Sequence, residues 1–153
     1  MTGRLIVMRH AKSSSEYRGL ADHDRPLNAQ GQRDACLVGD ALAGRGWLPQ
    51  LVLVSSSTRT LETLERMVQH MEGVRTEVRP EIYHAGISTL LTQLEGMLGE
   101  GTTMILGHNP GSEVLINHLT GEWHTMPPAA AALLSESGGN WLIEGIIRPR
   151  EIN

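Results

Sequence analysis

Three short, unbroken apolar runs constrain this chain more than any other feature. They are Leu5 to Met8, directly after Arg4, Leu51 to Val54 and Met104 to Leu106, and none shows helical spacing. A continuous apolar run of this length is the pattern of a strand buried on both faces of a sheet. Each run leads into polar residues and then into a stretch with helical periodicity. Strands alternating with helices imply a mostly parallel sheet covered on both sides, an α/β/α sandwich in three layers.

The helical stretches can be delimited by their caps. Asn28 is a natural N-cap for a helix running to Leu42 with Ala35, Val38, Ala41 and Leu42 on its apolar side, and Gly44 is its stop signal. Thr58 to Met71 carries Leu61, Leu64, Met67, Val68 and Met71 at three- and four-residue intervals, ending before Gly73. Ser88 would cap a helix bearing Leu90, Leu91, Leu94, Met97 and Leu98, and Ser112 one bearing Leu115, Ile116 and Leu119. Ala129 to Leu134 and Trp141 to Ile147 flank Ser-Gly-Gly-Asn, which predicts a closing hairpin.

Composition excludes several classes of function. The 153 residues fit one domain, 1–153, without repeat or linker. A net charge of -4 leaves no basic surplus for a nucleic-acid backbone. No apolar run is long enough for a signal peptide or a membrane span, and the single Cys36 allows no internal disulfide, so a cytoplasmic protein is expected. Cys36 is expected to pack on its helix. Neither a Gly-x-x-x-x-Gly-Lys loop nor a Gly-x-Gly-x-x-Gly or Gly-x-Ser-x-Gly motif is present. His23, His84, His118 and His124 lack the spacing of a metal site, so neither metal nor other cofactor is expected.

In open α/β sheets, ligands bind beyond the carboxyl ends of the strands. The residues there are Arg9-His10-Ala11-Lys12, Ser55-Ser56-Ser57-Thr58-Arg59 and His108-Asn109-Pro110-Gly111. Two arginines could hold phosphoryl oxygens through their planar forks, and His10 or His108 could attack phosphorus. Arg59 near a helix start is disfavoured by the helix dipole by about 0.3 to 1 kcal/mol, which points to an anion nearby.

These blocks resemble the histidine phosphatase superfamily, which has a phosphoglycerate mutase-like fold. Arg9-His10-Ala11 is similar to its Arg-His-Gly signature, with Ala11 in place of glycine, and Ser55 to Thr63 is similar to its second arginine block. Gly107-His108-Asn109-Pro110 is similar to its second histidine block. Asp24-Arg25-Pro26-Leu27 with Gly31, and Met126-Pro127-Pro128-Ala129 with the closing hairpin, resemble the short SixA-type phosphohistidine phosphatases.

The resemblance implies that His10 is the nucleophile and that Arg9, Arg59 and His108 bind the phosphoryl oxygens, with Arg25 and Asn109 as further candidates. His10 would attack as the neutral ring, while a protonated His108 would add positive charge. Larger relatives donate a proton from a carboxyl group; here Glu81 is nearest the corresponding place, with Asp22 and Asp24 as the other candidates. A site poor in acids would favour phosphohistidine over sugar phosphates, because an imidazole nitrogen leaves more readily than an alkoxide. The expected partner is a phosphorylated protein or a small phosphorylated molecule. The chain leaves few residues for a lid, so an open pocket is expected, with Trp123 as a candidate rim residue and Trp141 packed in the hairpin. Phosphoryl transfer as in phosphoglycerate mutases, and non-catalytic binding of a phospho-ligand, are the alternative readings.

Overall fold

The computed structural model describes residues 3–16, 19–68 and 71–152. Six strands form one sheet: β1 (Gly3–Arg9), β2 (Leu51–Val54), β3 (Arg75–Val78), β4 (Gly101–Gly107), β5 (Ala131–Ser137) and β6 (Asn140–Ile147). Their order is β3-β2-β4-β1-β5-β6; the first four are parallel, while β5 and β6 pair antiparallel. The helices are α1 (Ala29–Gly44), α2 (Thr58–Val68), α3 (Ile87–Leu94) and α4 (Gly111–Thr120).

Alternation along the strands divides the core in two. Ile6, Met8, Val52, Val54, Met104 and Leu106 face a cluster with Val38, Leu42 and Met67 from α1 and α2. Leu5, Val7, Leu51, Leu53 and Ile105 face the other side, with Leu90 of α3 and Leu115 and Ile116 of α4. This two-faced burial is why the three strands read as unbroken apolar runs. The expected three-layer α/β architecture, mostly parallel, is therefore the observed one. Among the described residues no helix is long and apolar enough to cross a membrane.

The differences from the sequence reading have local causes. β3 was not foreseen, because Arg-Thr-Glu-Val is an exposed edge strand with no apolar run. Asn28 does cap α1, accepting a hydrogen bond from the Gly31 amide, but the helix runs through Gly44 and the left-handed residue is Gly46 (φ 71°). α2 was expected to reach Met71; it is described to Val68, residues 69–70 lie outside the described residues, and Met71 is buried beyond the helix. Gly86 and Pro110, not Ser88 and Ser112, occupy the N-cap positions of α3 and α4. Met97 and Leu98 lie past the end of α3 yet still pack on the core. The hairpin turns at Gly138 and Gly139, both at positive φ, as the Ser-Gly-Gly-Asn signal requires.

Candidate active site

The carboxyl ends of β1, β2 and β4 bring His10, Ser55 and His108 together, and α2 adds Arg59 from its first turn. The loop after β1 is clamped in place. Ala11 donates its amide to Thr63 Oγ1 at 3.0 Å, and Thr63 donates to the Arg59 carbonyl at 2.7 Å. The Asn28 amide bonds the Lys12 carbonyl at 3.0 Å, and Gly31 packs so closely that a Cβ there would stand 2.2 Å from that oxygen. Ala11, the departure from the glycine of the signature, is fully buried in the α1/α2 core.

His10 is buried, and its Nδ1 lies 2.6 Å from the Ala11 carbonyl oxygen. A carbonyl only accepts, so Nδ1 carries the proton and Nε2 keeps its lone pair when the ring is neutral. Burial, and then the charges of Arg59, Arg9 and Arg25, push His10 down to about 4. The ring is therefore neutral over the whole physiological range, with the Nε2 lone pair available.

His108 meets the His10 ring edge-on with centroids 5.2 Å apart, and its Nε2 lies 2.9 Å from Ser55 Oγ. Its Nδ1 is buried without a partner among the described residues. Burial first, then the neighbouring His10 ring and Arg59, hold His108 down at about 3. This corrects the expectation of a protonated His108: in the free protein the ring is neutral, because desolvation and cations on the same side oppose its charge.

Arg59 is 3% exposed and aims its whole fork into the site. Nε donates to His10 Nε2 at 3.3 Å, Nη1 to the Asp22 carbonyl at 2.6 Å, and Nη2 to Asp22 Oδ2 at 2.9 Å. Arg25 donates to Asp22 Oδ1 at 3.1 Å, and the Tyr83 hydroxyl donates to Oδ2. The hydrogen bond from Tyr83, followed by those from Arg59 and Arg25, keeps the Asp22 carboxyl well below the usual carboxylate range. An exposed aspartate thus rests its anion where two guanidinium groups and a phenol converge.

The remaining candidates are placed differently. Arg9 donates from Nη1 to the Met126 carbonyl at 3.0 Å, its Nε is buried without a partner among the described residues, and burial lowers its pKa. Asn109 gives its amide nitrogen to Glu113 Oε2 at 3.0 Å and to the Met126 carbonyl at 2.9 Å. With both amide donors engaged, its side chain ties the loop, and the sequence expectation of a phosphate contact has no free donor on it in this structure. Glu81 is exposed on the short turn Pro80–Ile82, and no described side chain of the site bonds it. Asp24 is exposed and lies 3.6 Å from His23. Trp123 is exposed, Trp141 packs partly buried against the α3/α4 core, and Cys36 is half-buried with Sγ 3.7 Å from the Arg66 carbonyl.

The sequence places Ser55 at the sheet edge and offers His84 only as a metal ligand without the spacing of a site, and it assigns neither of them, nor Tyr83, a role in the site. Tyr83 stacks on His84 with centroids 4.1 Å apart, and His84 lies 3.4 Å from Arg59 Nη2. His84 adopts φ 51°, an uncommon conformation for a residue with a side chain, of the kind that clusters at functional sites. Its position directly after Glu81-Ile82-Tyr83 was the available signal. Among the described residues no group of three or more His, Cys, Asp or Glu is arranged to hold a metal ion.

The sequence profile of the histidine phosphatase superfamily (branch 1) matches residues 5–84, just over half of the chain. The chain belongs to the histidine phosphatase superfamily. An uncharacterized chloroplastic protein of Arabidopsis thaliana is 35% identical over 169 residues, covering 95% of this chain and 78% of its own. An uncharacterized Mycobacterium leprae protein is 36% identical over 121 residues, covering 74% of this chain and 71% of its own. The SixA structure from Agrobacterium tumefaciens superposes with a TM-score of 0.87 at 27% identity, over 95% of this chain and 97% of that one. SixA in complex with tungstate superposes with a TM-score of 0.85 at 23% identity, over 98% and 99% of the two chains. This histidine phosphatase is of the SixA type, and phosphatase chemistry is the activity that its membership supports.

The two depressed imidazoles make acid stability a test of this geometry. In the unfolded chain each ring takes a proton near pH 6.5, whereas in the fold both stay neutral until about 4 and about 3. Their contribution is intact above pH 6.5 and is lost as pH falls toward 4, because the unfolded state then binds the extra protons. At pH 5 the loss is about 2 kcal/mol per ring. Urea unfolding at pH 7.5 and pH 5 should therefore show His108→Asn losing about 2 kcal/mol less than the parent over that interval. Equal losses would mean that His108 titrates normally in the fold.

Proposed function

We propose that this protein removes the phosphoryl group from phosphohistidine in proteins, acting through a covalent phosphohistidine on its own His10, with small phosphorylated molecules as secondary substrates. The observation that carries this reading is the tether from His10 Nδ1 to the Ala11 carbonyl at 2.6 Å, which leaves Nε2 as a fixed, unprotonated nucleophile beside Arg59. The substrate phosphoryl oxygens take the place that Asp22 holds on Arg59 and Arg25, with the Nδ1–H of His108 and the free Nε–H of Arg9 as further donors. Nε2 attacks phosphorus as the bond to the leaving nitrogen breaks, and water then cleaves the new P–Nε2 bond and releases phosphate. Positive charge comes from guanidinium groups, so the reaction runs without a metal.

The state of Asp22 favours the phosphoramidate. Held ionised in the free protein by Tyr83, Arg59 and Arg25, it meets the substrate with no proton to give to an alkoxide. An imidazole leaving group collects its proton from solvent near neutrality. The like-folded SixA that binds tungstate, a tetrahedral oxyanion, is itself a protein histidine phosphatase.

A protein phosphorylated on histidine with radiolabelled phosphate, mixed with this chain in chelator and quenched in alkali, should leave transient label on the peptide that contains His10. Phosphate release without any such label would rule out the covalent route. Release that stops in chelator would rule out a metal-free one.

A further inference from the structure

A cavity of about 520 Å³ opens at the same sheet edge, on the side of Arg9 that faces β5 and β6. Its walls come from the start of α1, the start of α4, the approach to β5 and the turn after β6, with Arg9 shared between it and the catalytic cluster. The volume falls within the range of sites for whole ligands and far exceeds what one phosphoryl group fills.

The charges in this cleft divide into spent and unspent. Glu113 accepts from Asn109 at 3.0 Å and from the Met126 amide at 2.7 Å, so its carboxylate is committed to holding the loop. Arg148 donates twice to the Thr125 carbonyl, at 3.3 and 3.1 Å, and pairs with Glu151 at 3.7 Å. The side chains of Lys12 and Arg150 are exposed and make no hydrogen bond or ion pair among the described residues; of the acids lining the cleft, half-buried Asp34 alone is likewise without a side-chain partner there. Lys12 is also the only lysine of the chain and stands two residues after the nucleophile. A net charge of -4 works against acidic partners at long range, yet here the protein gathers Arg9, Lys12, Arg148 and Arg150 beside Arg25 and Arg59. Met126, Pro127, Pro128 and Pro149 supply apolar wall between the charges.

We propose that this cleft is a docking subsite for an acidic stretch of polypeptide flanking the phosphorylated side chain, gripped by Lys12 and Arg150 while the phosphoryl group lies against His10. The assignment rests on the phosphatase reading above and makes it a preference for proteins over small molecules. Neither cation touches the reacting atoms. Their contribution is to recognition of the flank, and it weakens with salt.

The test uses two histidine-phosphorylated peptides, one flanked by glutamates and the other by glutamines, with p-nitrophenyl phosphate as a third substrate. The parent protein should show a KM at least tenfold lower for the glutamate peptide. K12E combined with R150E should erase that preference by raising KM, with kcat held and p-nitrophenyl phosphate turnover within twofold of the parent. No preference in the parent, a preference that survives the double charge reversal, or an equal loss on all three substrates would overturn the proposal. Fluorescence anisotropy of the two labelled peptides reads the same preference without turnover. A glutamate preference in binding, lost in the double variant, alongside no phosphate release from any substrate would keep the cleft and sink the phosphatase reading instead.

Discussion

His10→Ala is expected to lower kcat/KM for p-nitrophenyl phosphate by at least about a thousandfold, roughly 4 kcal/mol of barrier lowering, while leaving phosphate affinity within a few-fold of the parent. The split follows from the geometry. On the proposed route the ring offers Nε2, which accepts from Arg59, and is tethered through Nδ1 to the Ala11 carbonyl, whereas the positive charge for an anion lies on Arg59, Arg25 and Arg9. Removing the ring takes away the covalent route but leaves the cations. It also relieves His108 of the charge that His10 presents to it when protonated, one of the causes holding that group down. Steady-state kinetics paired with competitive phosphate binding separates the two effects. A variant that keeps a tenth or more of parental activity would show that His10 is not the nucleophile. A variant that loses both activity and phosphate binding would show that the ring is part of the anion grip.

The elements that position this site could be read from the chain because their signal is local. β1, β2 and β4 are buried on both faces, so their apolar runs announce them, and the polar blocks that follow necessarily land at one sheet edge. The arrangement within the site was less legible. Nothing in Asp22-His23-Asp24 reveals that the first carboxylate reaches across to a fork on α2 while the second stays in solvent. Tyr83 and His84 join the cluster only because the chain after β3 folds back over β4, and β3 itself, four residues at an exposed edge, carries no periodic signal. Asn109 looked like a ligand from its neighbour His108; what commits its amide is Glu113 one helical turn on, together with a carbonyl brought in from Met126. The charge of His108 is a matter of burial, which a linear motif does not encode.

Arg59→Lys is expected to cost nearly as much as Arg59→Ala, each lowering kcat/KM by about 10² to 10³-fold, the range for removing a preorganised donor from a charged transition state. The reason is shape more than charge. One guanidinium simultaneously meets His10 Nε2, the Asp22 carbonyl and Asp22 Oδ2, three acceptors set around a single plane at 3.3, 2.6 and 2.9 Å. An ammonium is a point charge on a flexible stem and cannot span them. Since Arg59 is 3% exposed, lysine would also have to bury its charge with fewer hydrogen bonds to offset the loss of water. The same contacts predict a dependence on Asp22. Asp22→Asn removes the anion that competes for the fork, so phosphate should bind several-fold more tightly in the parent background and show no such gain once Arg59 is alanine. That non-additivity, measured as phosphate inhibition constants across the four proteins, reports the coupling between fork and carboxylate directly. If Arg59→Lys retains most of the activity, the guanidinium serves only as a charge. If Asp22→Asn tightens phosphate equally with and without Arg59, the carboxylate competes elsewhere in the cradle, and Arg25 becomes the residue it shields.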